Sequence, residues 1–240
     1  MKPNFKKAII WFAVFVVFTA LVMFVDVKPA GHPEGVDVNI GLASINIPVF
    51  EGLYNALGPS ACTAFYKISQ FCGLVAIAVC LCMALSGLSQ LFKRKGLHFV
   101  DSKIIAMGAF YIVVMAFYAL FLKVAINYRP VIVDGVVLES SYPSSHTMLA
   151  LTVAIALVKF TENFVYEERK AQILYRVVSW AFIVITVVTR LLSCVHWTTD
   201  IIGSILLSMA LINLYEPFVA VVSNIHDKRE TKRLEKKNKQ

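Results

Sequence analysis

Six separate stretches of this chain are long and apolar enough to cross the roughly 30 Å hydrocarbon core of a bilayer, which takes about 20 residues of helix. They lie near Ala8–Val25, Ala61–Phe92, Lys103–Leu122, Ser145–Phe160, Gln172–Thr189 and Asp200–Val222. Lipid offers no water to satisfy backbone N–H and C=O groups, so each stretch must fold as a helix that satisfies its own. The expected fold is all-α: a polytopic membrane protein whose six transmembrane helices form one bundle over residues 1–222. An outer loop at 26–60 and a basic tail at 223–240 complete it. Composition agrees, since 58% of the 240 residues are hydrophobic and 16% charged, against roughly 45–50% and about 25% in soluble domains. A soluble globule, a disordered chain, a disulfide scaffold and a coiled coil are excluded together.

The first stretch has the basic start and apolar run of a signal peptide. Val25-Asp26-Val27-Lys28-Pro29 follows it in place of a small-residue cleavage site, so it is expected to stay as a span. The five cysteines (Cys62, Cys72, Cys80, Cys82, Cys194) fall mostly in apolar runs at no metal-ligand or disulfide spacing, and are expected to be inert buried thiols.

Orientation follows from the basic residues. Lys2, Lys6 and Lys7 precede the first span, and Lys93, Arg94, Lys95 and Lys103 join the second to the third. Lys159, Arg169, Lys170 and Arg176 flank the next turn on the same side, and seven more lie beyond Val222. The opposite face keeps only Lys28, Lys67, Lys123, Arg129 and Arg190 of the 23 Lys and Arg. The crowded face, with both termini, is expected to be cytoplasmic, in a multi-pass protein of the bacterial cytoplasmic membrane. The tail suits anionic inner-leaflet lipid better than nucleic acid, since it is short and directly follows a span. In the outer loop, Val36, Val38 and Ile40 alternate, as do Ile45, Ile47 and Val49, around Gly41–Ser44. That period of two predicts a short hairpin, followed by amphipathic turns over Phe50–Leu57.

Three segments meet at the outer face. Lys123 to Arg129-Pro130 leaves the third span, and Tyr142-Pro143-Ser144-Ser145-His146 enters the fourth. Thr189-Arg190, His196 and Asp200 bridge the fifth and sixth. Three cations around one point repel a metal dication and suit a phosphate, whose oxygens accept guanidinium hydrogen bonds. Ser144 and Ser145 open a helix whose free N–H groups also favour an anion. His196 and Asp200 stand four apart, so the carboxylate can hold one imidazole nitrogen and leave the other to attack phosphorus. His146 could protonate the leaving oxygen. The set fits a metal-free phosphate hydrolase with no cofactor. Plainer readings stand beside it. Lys123 could be a snorkelling helix-end lysine, Asp200 a first-turn acid, and each histidine a hydrogen-bonded interfacial residue. His146, His196 and Asp200 could also imitate a two-His-one-carboxylate metal site, against which the arginines argue.

Together the segments resemble the signature of the type 2 phosphatidic acid phosphatase family, relatives of the vanadium-dependent haloperoxidases. Its pattern is Lys, six residues, Arg-Pro; then Pro-Ser-Gly-His; then Ser-Arg, five residues, His, three residues, Asp. Arg190, His196 and Asp200 keep both spacings, with Thr189 for Ser; Pro143, Ser144 and His146 match, with Ser145 for Gly. Arg129 and Pro130 match, but only five residues separate Lys123 from Arg129, a shift that turns a helix by about 100°.

The resemblance implies His196 as phosphorylated nucleophile, Asp200 as its orienting partner and His146 as general acid. Lys123, Arg129, Ser144, Ser145 and Arg190 would form the phosphate cradle, with no metal, and vanadate would inhibit. The expected activity is hydrolysis of a lipid phosphate such as undecaprenyl diphosphate, phosphatidate or phosphatidylglycerol phosphate. A lipid phosphotransferase with the same site, or a non-enzymatic lipid-phosphate carrier, is the alternative.

Overall fold

A computed structural model describes residues 2–30, 38–132, 138–162 and 169–237. Six helices follow the expected order: α1 (Lys6–Phe24), α2 (Ala43–Arg94), α3 (Ser102–Lys123), α4 (Ser145–Glu162), α5 (Arg169–Leu192) and α6 (Thr198–Lys237). Five of them are long and apolar enough to span a membrane, α6 over Thr198–Arg229. The other, α4, opens on Ser145-His146-Thr147 and is walled by neighbours, burying Thr147, Met148, Ala150, Leu151, Thr152, Val153, Ala154 and Ala156. The fold is an all-helical membrane bundle.

The centre of the bundle is α6, the most enclosed of the five. It packs on α1, α3 and α4, while α5 lies against α4 and α2. One apolar cluster joins Phe15 and Val22 of α1, Met107, Phe110 and Val114 of α3, Met148 of α4, and Leu207, Leu211 and Tyr215 of α6. Lipid tails are as apolar as these side chains, so close packing rather than water exclusion must hold helix to helix. Small residues permit it. Gly203 of α6 leaves room for the Tyr142 ring, whose hydroxyl meets Thr19 Oγ1 of α1 at 2.8 Å. Large apolar side chains such as Ile9, Val17, Ile112, Trp180 and Val184 cover the outside of the bundle, which a bilayer solvates.

The outer loop departs from expectation. Its hairpin pairs β1 (Lys28–Ala30) with β2 (Val38–Ile40), antiparallel, with Pro29 opposite Asn39. Val36 lies outside the described residues. Ile45, Ile47 and Val49 are not a strand; they belong to the first part of α2, which runs from Ala43 and bends at Gly58 (φ 73°, ψ 165°) just before Pro59. The burial period explains why. Ala43, Ile47 and Phe50 join a cluster with Trp197, and Asn46 is also buried, the i, i+3, i+4, i+7 spacing of a helix face. The alternation at 45, 47 and 49 was incidental. Asp26 anchors the start of this segment. Its carboxylate pairs with Lys28 (2.8 Å) and accepts from Ser44 N (2.7 Å), bonds that hold its pKa down to about 2.

At the far end, α6 continues past Val222 as helix to Lys237, so the basic tail begins as an extension of the last span.

Candidate functional site

The three motif segments converge at the end of the bundle opposite Lys93, Arg94 and Lys103. Beyond α3 the chain runs back on itself: Arg129 N donates to Glu139 O (3.0 Å) and Ser141 N to Asn127 O (2.8 Å), with Tyr128 bridged to Ser140. This short ladder fixes Arg129 beside the mouth of α4. Ser144 N then donates to Asp200 O (3.2 Å), and Ser204 Oγ donates to both Ser144 O and Asp200 O at 2.8 Å. The start of α4 is thereby docked on the first turn of α6. The Ser144 hydroxyl itself has no partner among the described residues, so it does not cap α4 and its oxygen is left for another group.

His196 precedes α6 rather than sitting on it. The pairing with Asp200 comes instead from a capping turn. Asp200 Oδ2 accepts from Trp197 N (2.9 Å), the reach-back bond of a third-position acid to the N-cap amide. The same oxygen lies 3.3 Å from His196 Nδ1, and Asn127 Nδ2 approaches Oδ1 at 3.4 Å. With Nδ1–H donated to the carboxylate, Nε2 carries the lone pair, and it has no partner among the described residues. Burial, and after it the charges of Arg190, Arg129 and His146, hold the His196 imidazole well below its ordinary pKa of 6.5. Arg129, His146 and His196 also line one cavity.

Arg190 is 0% exposed. A buried guanidinium needs partners, and α2 supplies two: Ser69 Oγ at 3.1 Å from Nη1, and the Tyr66 ring 5.5 Å from the guanidinium carbon. Its Nε and Nη2 remain unpaired among the described residues, as does Nε of Arg129, whose Nη2 meets Glu139 at 2.7 Å. Donors left over on the buried Arg190 and the partly buried Arg129 define a place for an anion. His146 turns its ring toward Gly73 of α2, and its Nδ1 lies 3.5 Å from Ser145 Oγ.

A cavity of about 480 Å³ opens onto this centre. Its wall combines Arg129, Glu139, Ser145, His146 and His196 with Phe117, Tyr118, Phe121 and Leu122 of α3, Leu138 and Met148. Asp200, Ser144 and Arg190 are fully buried and are not part of that lining. Lys123 does not join it. As the last residue of α3 it is exposed and absent from the cavity wall. Among the described residues no group of three His, Cys, Asp or Glu is arranged to hold a metal ion.

Several supporting residues carried no sequence signal of their own. Asn127, Tyr66, Ser69, Gly73 and Ser204 reach the motif residues from other elements. On α2, Cys62, Tyr66, Ser69 and Gly73 fall at i, i+4, i+7 and i+11, a stripe of small and polar residues along an otherwise apolar helix. That periodicity was the available clue.

Residues 122–222, which contain all three motif segments, match the model of the PAP2 superfamily. The resemblance read from the motifs therefore holds over that stretch. The chain is also similar to the crystal structure of the first transmembrane PAP2 type phosphatidylglycerolphosphate phosphatase from Bacillus subtilis. The two share 17% identity over 88% of this chain and 95% of that one, with a TM-score of 0.58, and what they share at that identity is the fold. LpxE from Aquifex aeolicus aligns at 18% identity over 70% of this chain and 94% of its own, with a TM-score of 0.42. No curated protein matches the chain.

Proposed function

We propose that the protein is an integral membrane lipid phosphatase acting through a phosphohistidine on His196. The observation that carries this reading is a single buried imidazole, held at Nδ1 by Asp200 and free at Nε2, beside two arginines with unspent donors. Nε2 attacks phosphorus in line with the leaving oxygen. The P–O bond breaks and the leaving oxygen takes a proton from His146. Water then attacks the N–P bond while His146 accepts its proton, which frees phosphate and restores both histidines. Arg129 and Arg190 stabilise charge on the equatorial oxygens, and Ser144, Ser145 and the first amides of α4 complete the cradle. Lys123, exposed at the end of α3 and absent from the cavity wall, is left out of this cradle. The scheme needs no metal.

The half-apolar cavity supports a lipid substrate. A phosphate seated on Arg129 leaves its tail against Phe117, Phe121 and Leu122, side chains continuous with the lipid-facing surface of α3. The basic loops at the other end of the bundle support a cytoplasmic placement for both termini and an outward-facing site. The family match and the similar Bacillus subtilis phosphatase support the reaction class.

The deciding experiment measures phosphate release from detergent-solubilised protein in EDTA, over a panel of undecaprenyl diphosphate, phosphatidate and phosphatidylglycerol phosphate. Turnover of at least one lipid is expected to survive the chelator, and His196→Ala to abolish it without loss of helicity. Substantial residual turnover in the variant would sink the nucleophile assignment. Loss of all turnover in EDTA, restored by a divalent cation, would sink the metal-free scheme.

A further inference from the structure

Two thiols that nothing in the reaction uses lie against one another beside the nucleophile. Cys62 Sγ, on α2 just past the Gly58 bend, is 3.2 Å from Cys194 Sγ, in the turn between α5 and α6. Both are buried, at 5% and 2% exposure, and Cys194 is two residues from His196. A disulfide needs sulfurs about 2.05 Å apart, about 1 Å closer than these.

The backbone makes a second, independent argument. Cys194, two residues past the end of α5, stands in the left-handed region, at φ 55°. Glycine is the usual residue in that role, since any Cβ there is strained. A side chain held at such a position at an energetic cost is expected to make a contact glycine cannot, and the contact this one makes is with Cys62. The stripe on α2 that bears Cys62 also bears Tyr66 and Ser69, which hold Arg190, and Gly73, which faces His146.

We propose that Cys62 and Cys194 form a disulfide that ties the His196 turn to the site-bearing stripe of α2. One thiolate attacks an external disulfide, a small-molecule disulfide or a thiol–disulfide oxidoreductase, and releases one of its sulfurs as a thiol. The other cysteine then attacks the mixed disulfide and releases the second. The two cysteines lose two electrons and two protons in all, and the external disulfide is reduced to two thiols. Where the bond would form in a cell rests on the outward orientation proposed above, since the non-cytoplasmic side is the one that permits disulfides. The chemistry itself does not depend on that reading.

The test uses the full-length purified protein in detergent, incubated with oxidised glutathione, then denatured and alkylated without reductant. Of the five cysteines, three are expected to take up alkylating agent after oxidation and all five after prior reduction. Mass spectrometry should find Cys62 and Cys194 in one cross-linked peptide. The double variant Cys62→Ser with Cys194→Ser should take up three under both conditions. The oxidised wild type should unfold about 5 °C above the reduced form, a shift the double variant lacks. Five alkylated cysteines after oxidation, or a cross-link to Cys72, Cys80 or Cys82 instead, would overturn the proposal. Neither result bears on whether the protein hydrolyses lipid phosphates.

Discussion

Gly73→Ala tests the general-acid assignment from a helix that never touches the phosphate. A Cβ built at Gly73 would stand 2.6 Å from His146 Cδ2 and 3.0 Å from Nε2. Carbon atoms rest at about 3.5–4.0 Å, so the imidazole must retreat by about 1 Å. Because the obstacle is the end of a side chain and not backbone, the ring moves and α2 stays in place. Alanine favours a helix over glycine by about 1 kcal/mol, so folding should not suffer. A displacement of about 1 Å at a reacting group can cost on the order of 10²-fold in rate, and that is the expected fall in kcat on a lipid phosphate. Steady-state phosphate release gives the number, and a second substrate shows its cause. A nitrophenyl phosphate has a leaving group that needs no proton, so the variant should hydrolyse it within about threefold of wild type. An equal loss on both substrates would place the damage at His196 or the cradle. Wild-type rates on the lipid would refute the proximity argument altogether.

The two cations of the first motif should behave differently, because Arg129 lines the cavity and Lys123 does not. Arg129→Ala is expected to lower kcat/KM by about 10²-fold or more and Lys123→Ala by less than about fivefold, measured on the same lipid; a larger loss for Lys123 would place it in the cradle. Acid should destabilise the protein through His196. Its pKa is depressed by folding, so below about pH 6.5 the unfolded chain binds a proton that the folded chain refuses, and stability falls as pH drops through that range. Above pH 6.5 the two states carry the same charge there and the contribution is complete. Unfolding midpoints between pH 7.5 and 5.5 should therefore decline less steeply in His196→Asn than in wild type, and equal slopes would contradict the burial argument.

How much was legible in the chain depended on whether the governing interaction is local. The six helices were, since a helix in lipid answers only to its own residues and to the solvent around it, although α4, enclosed by its neighbours, is not among the five long and apolar enough to span a membrane. The spacing of the third motif was legible for the same reason. Arg190, His196 and Asp200 lie within one turn and its flanking helix ends, and the spacing carries their relation. The hairpin was half legible. Residues 38–40 do pair, but their partner is Lys28–Ala30, and Ile45–Val49 was drawn into a helix by Trp197 on another element.

Only the tertiary structure decided which helix faces which. Apolar surfaces are interchangeable in a bilayer, and an apolar run of sequence does not say which of its sides meets a neighbour. That Ser69 and Tyr66 receive Arg190, that Gly73 makes way for His146, that Asn127 reaches Asp200 and that Cys62 meets Cys194 all follow from how α2 and the loop after α3 are rotated against the rest. Those rotations are set by close packing between elements far apart in the chain, a property of pairs of surfaces that neither stretch of sequence contains alone.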